Sequence, residues 1–409
     1  TIRTRLIVIL LGCIGTLGCG PESLDAPASR PCLDPLDEPF DGPGDRLSPQ
    51  LVRRSILLAR RYLLAIQKDG GNFVYELDLR SGKARSTDND VRQAGTSWAL
   101  VLAHRACASA KSRDAVVRML QFWWDHSQDI GAGRLAPFYG QDPFGDTGLL
   151  ALLTLTHIEA LQADLPEDVR PQVRTKLDGY LTLLLSLRNE DGHFDSRYSN
   201  VGHEFGRPNA YYDGESLLAI TRAAREAGYD KLQPLIMASA EVMHRRWVVQ
   251  AAAADPDHPA MKGFFHWGIM AYDQIVDSGW EGSHVYAQRA VDLAVWMVDV
   301  HRTLQRTRNT GYAYEGIIPA WRLAGRLGRQ ADQRKLAATI EQGLLKLCTW
   351  QVGSPVANPE LAAARAHRRA IGGVMNRRFD PWLRNDTTQH QFNALLLAER
   401  VYYGQSEGR

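Results

Sequence analysis

Residues 63–73, "LLAIQKDGGNF", return in altered form at 184–194 as "LLSLRNEDGHF". In both stretches a leucine-rich helical run ends at Asp-Gly and closes on phenylalanine. Glycine supplies the positive φ that stops a helix, and the aromatic ring covers the exposed end. Poorer copies stand at 127–133, "SQDIGAG", and at 347–353, "LCTWQVG". The element reads as a helix stop, and its recurrence marks a chain built from repeated helical units.

Working outward, the hydrophobic period is helical from residue 48 on. "LSPQLVRRSILLARRYLLAIQ" offers Ser48 as N-cap and Pro49 at the first helical position. Apolar spacing predicts helices over 49–67, 95–107, 112–127, 145–162, 167–188, 213–227, 231–247, 264–276, 283–305, 314–327, 331–352 and 387–404. No run of alternating strands stands out. Connections after the even-numbered helices are short. Those after helices 1, 3, 5, 7 and 11 run from roughly fifteen to more than thirty residues, long for a bundle, and the one after helix 9 is an exception.

Short links gather at one end of a set of antiparallel pairs, so the long loops gather at the other. Six such pairs predict an all-α fold, an (α/α)6 toroid with odd helices outside and even helices inside. The even helices are the more apolar and glycine-rich, as in "GTSWALVLA", "GDTGLLALLTLT" and "TQHQFNALLLA", which suits helices with neighbours on nearly all sides. A stacked solenoid of hairpins would need a more uniform repeat length.

Hairpins ending in elements such as Gln67 to Phe73 resemble the α/α-toroid proteins. These are the terpene cyclases and prenyltransferases, and the six-hairpin glycosidases with related polysaccharide lyases and uronyl epimerases. The resemblance spans most of residues 49–404 as architecture and singles out no one family. The Asp-x-Asp-Asp of triterpene cyclases, the zinc ligands of lanthionine cyclases and a Gly-Cys-Gly-Glu-Gln thioester are missing from the sequence. Architecture alone assigns no activity.

Composition narrows the rest. The chain has 409 residues, 44% of them hydrophobic, with 48 basic against 46 acidic side chains and a net charge of +2. Lys and Arg are scattered, which argues against a nucleic-acid partner. Residues 1–19 read as a signal peptide of lipoprotein type: Arg3 and Arg5, an apolar run, then small residues before Cys19, with Cys13 as a rival modification site. Residues 20–47, rich in proline, glycine and acids, read as a flexible linker, and 48–409 as one toroid domain. The expectation is an extracytoplasmic, lipid-anchored protein of a bacterial cell envelope, touching the membrane only through that anchor. Cys107 and Cys348 fall inside apolar helical patterns and are expected to pack as small hydrophobes, with Cys32 left over.

If the long loops share a face, the N-termini of all six inner helices point into it and favour polar or anionic ligands. The densest polar and aromatic groups fall in those loops and first turns. In "NAYYDGESLLAITRAAREAGYD" (209–230), Asp213 is the expected N-cap, with Tyr211, Tyr212 and Glu215 beside it and His203 and Glu204 upstream. In "NDVRQAG" (89–95), Asp90 caps while Arg92 and Gln93 offer a charged fork and an amide. In "RNDTTQHQ" (384–391), Thr388 and Gln391 have capping-box spacing, and Asp386 and His390, four apart, could form an oriented acid and imidazole. Glu315 follows Tyr314 at the start of helix 10.

Aromatic rings beside acids, amides and arginines suit sugars, whose faces stack on rings. Trp267 and Tyr314 join Tyr211 and Tyr212 as expected platforms. The expected function is a carbohydrate-active enzyme, a glycoside hydrolase with a carboxyl pair drawn from Asp213, Glu215, Asp386 and Asp90. Arg92, Gln93 and His390 would position substrate. A lyase or epimerase acting on uronates is the variant, and a noncatalytic surface binder of glycans or peptides the alternative. No cofactor is implied, and no short His-x3-His spacing points to a metal.

Overall fold

The computed structural model describes residues 34–36, 39–140, 142–201 and 204–404. The segment read as a signal peptide, Cys19 and His203 lie outside the described residues, as does the side chain of Glu204. Twelve principal helices carry the fold: α1 Pro49–Ile66, α2 Asp90–Ala106, α3 Ala110–Asp125, α4 Thr147–Leu161, α5 Val169–Ser186, α6 Ala210–Glu226, α7 Gln233–His244, α8 Pro259–Asp277, α9 Val285–Asp299, α10 Gly311–Arg326, α11 Gln330–Cys348 and α12 Asn385–Leu397. Ser48 caps α1 as expected, its hydroxyl accepting from Leu51 N, with Pro49 in the first turn.

The even helices form a closed ring. α2 packs on α4, α4 on α6, α6 on α8, α8 on α10, α10 on α12, and α12 returns to α2. Burial follows from that position: α4 is buried at every residue from Thr147 to Ala160, whereas outer α3 buries one stripe through Ala115, Met119 and Trp123. Where the backbones of α10 and α12 approach closely, glycine makes the room. A Cβ on Gly311 of α10 would lie 2.7 Å from Gln391 N of α12.

The long loops knit together at one end. The first carries β1 (Glu76–Asp78), which pairs antiparallel with β7 (Trp382–Arg384) of the last. The loop before α4 contains the hairpin β2–β3 (Ser127–Asp129, Leu135–Pro137) and β4 (Phe144–Asp146). β4 pairs with β5 (Arg197–Ser199) of the next long loop, and β5 with β6 (Glu204–Phe205). At the opposite end Glu159 of α4 is buried between Arg105 of α2 and Arg222 of α6. Burial works against its ionisation, but the two guanidiniums outweigh it and hold its pKa below the ordinary value.

Several expectations need correction. α2, α6, α8, α10 and α12 begin two to five residues before the starts expected at 95, 213, 264, 314 and 387. Asparagines do the capping in two of them, Asn89 accepting from Arg92 N and Asn209 from Tyr211 N. Asp90 and Asp213 are therefore helical residues, not caps. The capping box at Thr388 and Gln391 does not form, because both already lie inside α12. The long connection expected after α7 is filled by helix: a π turn, Arg245–Gln250, and a short helix, Ala251–Ala254, leave four residues before α8. Cys107 is disulfide-bonded, while Cys348 is free and buried.

Candidate active site

Three inner helices use their fourth residue to hold the turn that follows an outer helix. Gln93 of α2 accepts from Phe73 N (2.9 Å) and donates to Phe73 O and to Asp88 Oδ1. Asp213 of α6 accepts from Phe194 N (2.8 Å) and Trp247 Nε1 (2.6 Å), and pairs with His193 Nδ1 at 2.6 Å. Thr388 of α12 accepts from Val374 N at 3.1 Å. In the first two latches the Asp-Gly-aromatic repeat is one half and the inner helix supplies the other; in the third, Val374 bridges back to Gln351 after α11. Trp247 reaches Asp213 from the π turn, where the widened helix redirects its side chain. Gln93 and Asp213 are fully buried with their polar atoms engaged, which leaves neither amide nor carboxylate for a ligand.

Inside the ring of latches, side chains from α8, α10 and α12 converge. His390 Nδ1 lies 2.6 Å from Glu315 Oε1, and Asn393 Nδ2 donates to Glu315 Oε2 at 3.3 Å. Burial pushes the Glu315 pKa up, and His390 and Asn393 pull against that. The His266 ring stands edge-on to His390 with centroids 5.4 Å apart, flanked by Trp267 and Tyr312. Both ring nitrogens of His266 are buried without a hydrogen-bond partner, as is Trp98 Nε1, whose ring tilts against Trp267 at 5.9 Å. Burial, then His390 and Lys262, hold the His266 pKa well below the usual imidazole range, so it is neutral at neutral pH.

Two further groups flank this floor. Arg92 Nε donates to Asp386 Oδ2 at 2.7 Å, Arg384 Nε donates to Asp386 Oδ1 at 2.9 Å, and both guanidiniums approach the Tyr75 ring. Burial opposes ionisation of Asp386, but the arginines prevail and its pKa is lowered. Glu215 behaves oppositely. Its Oε2 is buried with no partner, and burial, then the charge of Asp146, drives its pKa well above the carboxylate range. A Cβ on Gly148 would collide with that oxygen and with the Tyr212 ring, so glycine in α4 makes room for both. Tyr212 donates to Asp146 Oδ2, and the half-exposed Tyr211 feels the charges of Glu215 and Arg92. Asp90 joins this side, its pKa raised chiefly by burial.

The latched hairpins and the closed inner ring decide the architecture. The chain is an (α/α)6 toroid. Solved structures agree: it is similar to cellobiose 2-epimerase from Spirochaeta thermophila at 12% identity and TM-score 0.60, over 88% of this chain and 99% of that one. It is similar to a D-mannose isomerase at 12% identity and TM-score 0.59, over 86% and 98%. It is similar to an unsaturated glucuronyl hydrolase specific for heparin at 12% and 0.57, over 88% and 99%. The sequence matches no family model and no curated protein. At these identities the likeness concerns the fold.

Of the residues singled out from sequence, Arg92, Glu215, Tyr211, Tyr212, Trp267, Glu315, Asp386 and His390 stand on or around this floor. Tyr314 does not: it is 1% exposed and its ring packs outward against Gly343 of α11. The expected Asp386–His390 pair is replaced by two others, Asp386 with the arginines and His390 with Glu315. His266, Asn393, Tyr312 and Trp98 were not singled out as site residues. Trp98, His266 and Asn393 lie within helical patterns that read as core and Tyr312 in the loop before the expected helix 10, and only the ring closure aims them inward. His266, Glu315 and His390 place ligand atoms within 4.8 Å of one another, a spacing that a divalent cation could bridge.

Proposed function

We propose that the protein is a carbohydrate-active enzyme that moves a proton at a sugar carbon, as an epimerase, isomerase or lyase does. The observation that carries this is the Glu315–His390 pair facing the neutral His266. Glu315 accepts the Nδ1 proton of His390, which orients the ring and leaves Nε2 as the free base. His390 would take the proton from a carbon beside a carbonyl or carboxyl group, and the C–H electron pair would flow onto the adjacent oxygen. Glu215, held protonated by burial, and Arg92 can meet that developing negative charge. Return of the proton to carbon gives an epimer or isomer, and loss of a leaving group gives an unsaturated sugar. Support for a sugar comes from the Trp98, Trp267, Tyr211 and Tyr312 rings around these polar groups. It comes also from structural neighbours that include epimerases, an isomerase and a glucuronyl hydrolase.

A hydrolase is the second reading, favoured by the protonated Glu215 as acid. Of the partners expected for it, Asp386 is held by two guanidiniums, Asp213 by the latch, and Asp90 has its ionisation opposed by burial. We further propose an extracytoplasmic location with a lipid anchor at Cys19. The charged and apolar start of the sequence and the disulfide at Cys107 support it, since disulfides persist in oxidising compartments.

The test is incubation with reducing sugars, disaccharides and uronate oligosaccharides in deuterated water, followed by NMR. Solvent deuterium on a sugar carbon, or an unsaturated product, lost in His390→Asn, is the expected result. New reducing ends without deuterium, formed by the unmodified protein and lost in Glu215→Gln, would establish the hydrolase instead.

A further inference from the structure

One quadrant of the rim, where α8, α10 and the last long loop meet, concentrates positive charge that the proposed proton transfer does not use. Lys262 is the fourth residue of α8, and its ammonium stands 5.2 Å from the centroid of Tyr312. A cation in the first turn opposes the helix dipole. Burial, then Arg306 and Arg308, lower its pKa. Nearby, Arg308 faces Arg377 across an antiparallel bridge, with Asn309 N donating to Asn376 O at 2.8 Å. Like charges directly opposite on paired strands are destabilising.

The acids present answer other cations. Asp257 pairs with His301 and Arg306, and Glu360 with Arg378. Among the described residues no ion pair joins Lys262, Arg308 or Arg377 to a carboxylate. Next to them Phe379, 70% exposed at φ +67°, holds its ring outward under the Arg378 guanidinium at 4.8 Å. A bulky residue in the left-handed region is strained, and such strain collects at binding sites.

This patch adjoins the floor. Asn309 Nδ2 donates to Gln391 Oε1 at 3.3 Å, one residue from His390, and Tyr312 beneath Lys262 is 5.7 Å from His266. We infer that the bowl takes an acidic saccharide, whose carboxylate or sulfate is met by Lys262, Arg308 and Arg377 at the rim while an adjoining ring lies beside His390. The inference rests on the reading that the bowl accepts sugars. The unmatched cations are what a neutral glycan would leave unused and an acidic one would neutralise.

Calorimetric titration tests it with three probes: a glucuronate-containing tetrasaccharide, its sulfated counterpart, and neutral cellotetraose. The acidic probes are expected to bind about tenfold more tightly than cellotetraose at low salt and to lose that margin as salt screens the charges. Arg308→Gln and Arg377→Gln, both exposed and harmless to folding, should each weaken acidic binding about three- to tenfold, as should Lys262→Met. Tighter binding of the sulfated probe than of the carboxylate probe would assign the anion as sulfate. Equal binding of cellotetraose, affinity unchanged in the arginine variants, or no binding of any probe would overturn the inference. Arginine-dependent binding without deuterium exchange would sink the proton-transfer reading and leave the rim standing. Exchange on neutral sugars with no preference for charge would do the reverse.

Discussion

His390 Nδ1 lies 2.6 Å from Glu315 Oε1 across 75 residues of chain, joining α12 to α10 at the floor of the bowl. An imidazole with one nitrogen pinned by a buried carboxyl has one fixed tautomer and one usable lone pair. Neither residue could be replaced without changing what the other presents to the bowl.

Glu315→Gln is the sharpest probe of that pair. It keeps the shape of the side chain but lets the amide face His390 with either its oxygen or its nitrogen. Deuterium exchange into sugar should fall about 10²- to 10⁴-fold, with substrate affinity little altered. Undiminished exchange would rule the pair out as the base.

Asp213 separates latch from chemistry. Asp213→Ala strands the buried donors Phe194 N and Trp247 Nε1, and should cost about 3 kcal/mol in denaturant unfolding. Exchange activity per folded molecule should survive. A stable variant without activity would return Asp213 to the list of reacting groups.

Glu215 predicts a pH dependence. Its folded pKa lies above the unfolded value because burial penalises the charged form. Its contribution to stability is therefore complete below the unfolded pKa and is lost as pH rises through the folded one. Thermal unfolding of the unmodified protein should weaken towards alkaline pH. Glu215→Gln should flatten that decline, and parallel curves for the two proteins would contradict the burial argument.

Glu159 supplies a control far from the floor. Glu159→Gln leaves Arg105 and Arg222 without their shared carboxylate and should destabilise the protein by about 3–5 kcal/mol. Exchange kinetics of the folded fraction should remain unchanged, since the triad ties the ends of α2, α4 and α6 opposite the long loops.

Reduction bears on the compartment. Breaking the disulfide at Cys107, by Cys107→Ser or by a thiol reagent, should lower stability by about 2–4 kcal/mol. An unfolding midpoint indifferent to reductant would remove that support for export.

The ring order was legible because helix periodicity and the alternation of loop lengths are both properties of the chain read in one dimension. The Asp-Gly-aromatic turns were legible too, since Gly71 and Gly192 adopt φ of +103° and +89°, which only glycine enters freely. The helix starts were not. Polar residues such as Asp90 and Asp213 imitate caps, while Asn89 and Asn209, which do the capping, look like ordinary loop. Pairings across the ring were hidden for a related reason. His390 had a plausible acid four residues away, but Asp386 is claimed by Arg92 from another helix, a competition no local pattern records.

The β1–β7 ladder stitches residues 76–78 to 382–384, so the earliest hairpin is sealed only by the latest. Without β7 and α12 the ring stays open: α12 brings His390 to the floor, and β7 is the clasp on β1. Such long-range closure slows folding, because the first hairpin waits for a strand more than three hundred residues away.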